Sequence, residues 1–160
     1  AGATLVGQHL GAQNKDQAKR AGWGAMRLSI ISMTFFGIII VTFAEPLARF
    51  MIDNDEVVRL TVIFIWLLGS MQPLMAIEFS LGGALRGAGD TKTPLVITLT
   101  CLLFIRVFLA VVFFLLDASI EIIFSTLLAD YIVKGFLYVS RFKSDRWMNV
   151  LKIKEVDQQL

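Results

Sequence analysis

Over most of this chain the apolar positions neither alternate with polar ones nor leave a polar helical face; they run on. From about Leu60 to Ala84 the only charge is Glu78, and from about Leu95 to Leu116 the only charge is Arg106. Runs of that length cross ~30 Å of hydrocarbon at ~1.5 Å per helical residue. The pattern predicts spanning helices over about 23–43, 57–85, 94–116 and 120–139, an all-α integral membrane fold. Between the second and third lies the polar stretch Leu85-Arg86-Gly87-Ala88-Gly89-Asp90-Thr91-Lys92-Thr93-Pro94, which reads as a turn at the membrane surface. Gly87 and Gly89 permit positive φ there, and Pro94 suits a first helical turn, where its missing N–H is not needed.

The other connections are shorter signals. AGATLVGQHL, residues 1–10, reads as the last turns of a helix, and GAQNKDQAKR, residues 11–20, as a polar link. Ala18, Ala21, Gly22 and Ala25 recur at helical spacing, a seam of small residues suited to close helix contact, with Trp23 placed for an aromatic belt. Pro46 with Leu47, Phe50 and Met51 suggests a short interfacial segment, and Asp53 with Glu56 three residues on resembles a capping box. Pro73 removes the hydrogen bond to the Gly69 carbonyl and predicts a kink. The faint echo of Leu10-Gly11-Ala12 in Arg86-Gly87-Ala88 is too little to establish a repeat.

Composition agrees with a membrane class: 56% of the 160 residues are hydrophobic and 18% charged. The chain opens at Ala1 with no signal-peptide pattern and reads as a fragment. Cys101, a single cysteine inside an apolar run, excludes an internal disulfide and a thiolate metal site. Lys15, Lys19, Arg20, Arg86, Lys92, Arg141, Lys143, Arg146, Lys152 and Lys154 fall on one side of the predicted spans, and Arg49 and Arg59 on the other among acidic residues. Basic loops stay inside, so the 85–94 turn and a charged tail over 141–160, following a membrane region over 1–140, are expected to be cytoplasmic, in a multi-pass plasma-membrane protein.

Glu78, Arg106, Asp130 and Lys134 fall within the spans, where each is costly and must face other helices or a wet cavity. Counting from the basic surface puts Arg106 roughly 18 Å deep, Glu78 and Asp130 roughly 12 Å and Lys134 roughly 6 Å. Arg106 and Asp130 are expected to meet across antiparallel helices as a structural brace, with Lys134 competing for the carboxylate. Glu78, lacking a partner on its own helix, is the leading candidate for coupling to H⁺ or Na⁺, against a protonated carboxyl bonded to backbone. Gln72 is a second candidate contact, with helix packing the alternative. GAGDTKT, residues 87–93, lacks Walker spacing and follows no strand, so nucleotide binding is not expected. His9 is a lone histidine, best read as an interfacial polar residue, and no metal set or nucleophile–base pair stands out. No cofactor beyond a coupling ion and no nucleic acid are expected.

Gly7-Gln8-His9-Leu10-Gly11-Ala12 with Lys19-Arg20 resembles one cytoplasmic turn of the multidrug and toxic-compound extrusion (MATE) transporters. Ala84-Leu85-Arg86-Gly87-Ala88-Gly89-Asp90 through Pro94 resembles their second. The resemblance implies part of a six-helix lobe, the C-terminal one, in a twelve-helix two-lobed transporter. It further implies a cation-coupled antiporter exporting organic, often cationic, compounds by alternating access, with membrane lipid, the other lobe of the same polypeptide and small organic substrates as partners. In some relatives an Asp lies on the helix before the second turn; its place here is near Met75, one helical turn from Glu78. Phe79, Trp66 and Met71 are candidates for a drug-cavity wall. A flippase of lipid-linked oligosaccharide or lipid is the alternative reading. A membrane-embedded enzyme is disfavoured by the missing catalytic constellation.

Overall fold

The computed structural model describes residues 2–51, 53–117 and 119–150. Helices α1 (Gly2–Gly11), α2 (Lys15–Thr42), α3 (Ala44–Met51), α4 (Asp55–Gly87), α5 (Lys92–Thr100), α6 (Phe108–Leu115) and α7 (Ile120–Lys143) follow in order. A π-helical segment, Cys101–Val107, joins α5 to α6, and a 3₁₀ turn, Arg146–Asn149, follows α7. There is no strand among the described residues. α2, α4 and the continuous rod Lys92–Leu115 are each long and apolar enough to cross a membrane. α7, with 24 residues, reaches ~36 Å at ~1.5 Å per residue.

α4 is the axis of the fold, packing on α1, α2, α3, α5 and α7. Glycines let its neighbours close on it. A Cβ on Gly87 would collide with the Ala3 carbonyl oxygen of α1, and one on Gly7 would sit 2.8 Å from the Gly87 carbonyl oxygen. The two predicted turn motifs therefore touch each other, glycine against glycine. Further along, a Cβ on Gly37 of α2 would lie 2.9 Å from Gln72 Cγ and 3.1 Å from the Gly69 carbonyl oxygen. That carbonyl is the one Pro73 cannot bond, and α4 nonetheless runs unbroken through the proline.

The main buried cluster gathers where the basic residues lie. Val6, Ala18, Leu81, Leu85, Tyr138, Phe142 and Trp147 form its centre. Phe142 inserts against Gly22, where a side chain would strike its ring, and stacks on Trp147 at 4.6 Å between centroids. Trp147 Nε1 donates to the Phe142 carbonyl at 2.9 Å. Trp23 meets Phe142 edge-on. Outward, Ile31, Phe35 and Ile38 of α2 and Phe104, Phe108 and Phe114 of the third rod stay exposed. Such a surface suits hydrocarbon or neighbouring helices rather than water.

Several sequence expectations are corrected at this level. α2 begins eight residues before position 23, so much of the polar link is helix. α4 is capped by Asn54, not Asp53: its Oδ1 accepts from the Glu56 and Val57 amides at 3.0 and 3.2 Å. Two residues of the charged tail, Phe142 and Trp147, are fully buried; its residues 151–160 lie outside the described ones.

Gly87→Val should destabilise the fold by about 1–3 kcal/mol or more, because the obstructing atoms are backbone and cannot swing away. A lower thermal midpoint in detergent, with Gly24→Ala near neutral because nothing lies within 4 Å of its Cβ position, is the expected pair of results.

Candidate functional site

Two polar structures are built on this frame. The first is the pair of turns. After α1, Ala12 N donates to Gln8 O at 3.0 Å, Gln13 N to Leu10 O at 2.9 Å and Asn14 N to His9 O at 2.9 Å. After α4 the same three bonds recur: Ala88 N to Ala84 O, Gly89 N to Arg86 O and Asp90 N to Leu85 O, each at 3.0 Å. Gln13 and Gly89 both take the left-handed conformation, φ 58° and 84°, that ends each helix. Asn14 Oδ1 then accepts from Gln17 N at 3.1 Å, and Asp90 Oδ1 from Thr93 N at 3.2 Å, each side chain capping the next helix. The faint echo in the sequence is a repeated structural unit: Gly11 matches Gly87, Gln13 matches Gly89 and Asn14 matches Asp90.

The second turn is tied to the end of α7, and the start of α2 to the residue just past it. Arg141 donates to Asp90 Oδ2 from Nε at 3.1 Å and Nη2 at 2.7 Å, and Thr93 Oγ1 donates to the same oxygen at 2.9 Å. Lys19 pairs with Asp145 at 2.7 Å. Burial pushes the Asp90 carboxyl up, but the bonds from Arg141 and Thr93 pull harder, leaving it below the usual carboxylate range. Pro94 is buried, and its carbonyl accepts from Tyr138 Oη at 3.4 Å.

The second structure is a charge cluster between α4 and α7. Lys134 Nζ donates to Asp130 Oδ2 at 2.8 Å, one helical turn back on α7, and stands 3.8 Å from Glu78 Oε1 of α4. The side chains are 5%, 0% and 13% exposed for Lys134, Asp130 and Glu78, so three charges share one nearly dry site. Asp130 Oδ1 is buried and has no hydrogen-bond partner. The Lys134 ammonium also lies 5.3 Å from the centroid of the Tyr131 ring. Glu78 opens onto a cavity of about 500 Å³ at the basic end, whose walls include Arg86, Lys92, Leu95, Thr98 and Tyr138. Thr98 Oγ1 and Tyr138 Oη share a hydrogen bond at 3.2 Å across it.

The expected Arg106–Asp130 brace is not the pairing formed. Asp130 is held by Lys134, and Arg106 makes no ion pair among the described residues. Arg106 lies in the π-helical segment, whose altered winding turns it away from the direction an α-helix would give. Gln72 packs on Gly37 of α2 and lines no part of the Glu78 cavity. Of the suggested cavity-wall residues, Met71 is fully buried, Phe79 lines the basic-end cavity, and Trp66 lines a separate one at the other end. The Asp90–Arg141 bond, the Glu78–Lys134 approach and the π segment went unread in the sequence, as did Arg27, a further cation on α2. Asp90 with Thr93 three residues on was the available capping signal.

The MatE family model matches residues 1–112. The chain belongs to the MatE family. Among relatives, a probable multidrug resistance protein NorM of Thermotoga maritima is 33% identical over 153 residues, covering 90% of this chain and 31% of the relative. Proteins of the same description from Mannheimia succiniciproducens and Oceanobacillus iheyensis are 33% and 37% identical over 97 and 94 residues. These cover 61% and 59% of this chain and 21% of each relative. The chain thus spans about a third or less of the curated relatives it matches.

Two stability outcomes follow from the geometry. Because the Asp90 carboxyl is depressed, its contribution is whole above the ordinary carboxylate range and is lost as pH falls through the folded value. Asp90→Asn should therefore cost ~1 kcal/mol near neutral pH and flatten the acid limb of a thermal-midpoint-against-pH curve. Lys134→Met leaves two buried carboxylates facing one another and should cost ~3–5 kcal/mol, with Asp130→Asn in the same chain recovering part of it. Additive losses in that double variant would show that the two side chains do not interact.

Proposed function

We propose that this chain is the C-terminal-lobe portion of a cation-coupled antiporter, driven by Na⁺ or H⁺, that exports organic and often cationic compounds by alternating access. Family membership supports transport rather than enzymatic chemistry, and the likeness to probable multidrug resistance proteins supports drug export. One observation carries the coupling role. Two carboxylates and one ammonium lie buried between α4 and α7, and one carboxylate, Glu78, opens to a cavity. Ionisable groups at that depth are expensive, and a surplus negative charge there attracts a cation. Loading and releasing that cation changes the net charge between two helices, which can bias one packing of α4 on α7 over another. The Lys and Arg residues of the basic end, with both repeated turns, support a cytoplasmic position for it. Asp90–Arg141 and Lys19–Asp145 fasten the helices there while the middle of the lobe responds to the ion.

The test is Glu78→Gln in the full-length transporter, reconstituted in vesicles. Ion-driven efflux of a fluorescent organic cation should fall to the level of empty vesicles while expression and thermal midpoint hold. Efflux and ion dependence unchanged in that variant would remove Glu78 from coupling.

A further inference from the structure

We infer that Lys134 is the resident cation of the Glu78–Asp130 pair, so that the site is loaded by one proton on Glu78 and is closed to Na⁺. This rests on the reading of the cluster as the coupling site and decides which ion that site takes.

A bound Na⁺ replaces its water shell with several oxygens. Here the place between the two carboxylates, where such an ion would gather them, is filled by an ammonium, 2.8 Å from Asp130 Oδ2 and 3.8 Å from Glu78 Oε1. Tyr138 Oη of α7 is already engaged by Thr98 and the Pro94 carbonyl. A second cation about 4 Å from the ammonium meets repulsion that, at an effective dielectric of ~20, weakens its binding roughly a thousandfold. A proton escapes that penalty because it joins an oxygen and neutralises it.

The charges around Glu78 agree. From α7 it faces Lys134, Asp130 and Tyr138; from α4, Arg86; from the π segment, Arg106 at longer range; and Lys92 shares its cavity. Asp130 is compensated by the closer contact and is closed off, at 0% exposure. Glu78 has the looser contact and opens to the cavity, so it is the carboxylate a proton can reach and leave. When the proton arrives on Glu78, the ammonium belongs to Asp130 alone and the site is neutral. When it leaves, the ammonium is shared and one negative charge is in excess. Lys134 is thus a specificity-determining residue, keeping its own proton throughout.

The experiment reads the carboxyl itself, independently of transport. The purified full-length transporter is treated with a hydrophobic carbodiimide, which modifies protonated carboxyls, and labelling at Glu78 is followed by mass spectrometry against pH in choline and in Na⁺ buffers. The expected result is labelling that rises as pH falls, with the same midpoint in both buffers. In Lys134→Met, Na⁺ should now protect Glu78 by tenfold or more, whereas Lys134→Arg should stay indifferent to Na⁺. Protection of Glu78 by Na⁺ in the unsubstituted protein, or no labelling at any pH, overturns the inference. So does a folded Lys134→Met that remains blind to Na⁺. Should Lys134→Met fail to fold, the unsubstituted protein and Lys134→Arg still decide. Na⁺-driven efflux that Glu78→Gln abolishes would leave the coupling site standing and remove only the proton assignment.

Discussion

An ammonium held between two carboxylates, inside helices otherwise built from Leu, Ile, Val and Phe, is the interaction on which this fragment turns. None of Glu78, Asp130 and Lys134 is tolerable alone at that depth. Together they leave a single surplus charge, and they fix the register of α7 against α4, since Lys134 reaches Glu78 only from one rotation and one height of its helix. Pairing at i and i+4 on α7 sets the direction of the lysine before the other helix arrives. The cross-helix contact is the longer one, at 3.8 Å against 2.8 Å, and it is the one a change of charge on Glu78 can alter.

Around that pair the fold divides its labour along the helix axes. At the basic end, packing is tight: glycine contacts bring α1 onto α4, Phe142 fills the space left by Gly22, and Trp147 folds back over the end of α7. The two turns are closed by matching bonds; Arg141 of α7 fastens the second through Asp90, and Lys19 of α2 pairs with Asp145 just past α7. Toward the acidic end the polar contacts are exposed, as in the Glu45–Arg49–Asp55 network, and exposed pairs of that kind contribute little. The helices are thus pinned at the basic end and joined by exposed, weaker contacts at the other.

The apolar runs were legible because length and composition alone decide whether a helix can cross hydrocarbon; three helices of that kind are present among the described residues, and α7, though long enough, is not one of them. The turns were legible as turns because Gly89 and Pro94 have conformational meaning on their own. Their equivalence was hidden: Gln13 occupies a left-handed position without being glycine, and Asn14 and Asp90 cap with different side chains. The partner of Asp130 was misread for a different reason. Sequence spacing gives depth along a rod, and Arg106 was placed by depth. Azimuth decides contact, and the π segment that resets it for Arg106 leaves no compositional mark in Cys-Leu-Leu-Phe-Ile-Arg-Val. Gln72 and Glu78, six residues apart, show the same lesson within one α-helix: they lie on different faces, one against α2 and one toward α7.

That π segment faces the helix that carries Asp130 and Lys134. It begins at Cys101, buried among the cluster's neighbours, and ends just past Arg106. Within it the Phe108 amide reaches back to the Leu103 carbonyl, five residues away, instead of four. Its neighbours α5 and α6 are ordinary helix, so the extra residue is confined to the depth of Glu78 and Asp130. Of the three parts of the rod, the π segment packs most extensively on α7. The wider turn therefore meets the helix that carries Asp130 and Lys134 without entering their ion pair.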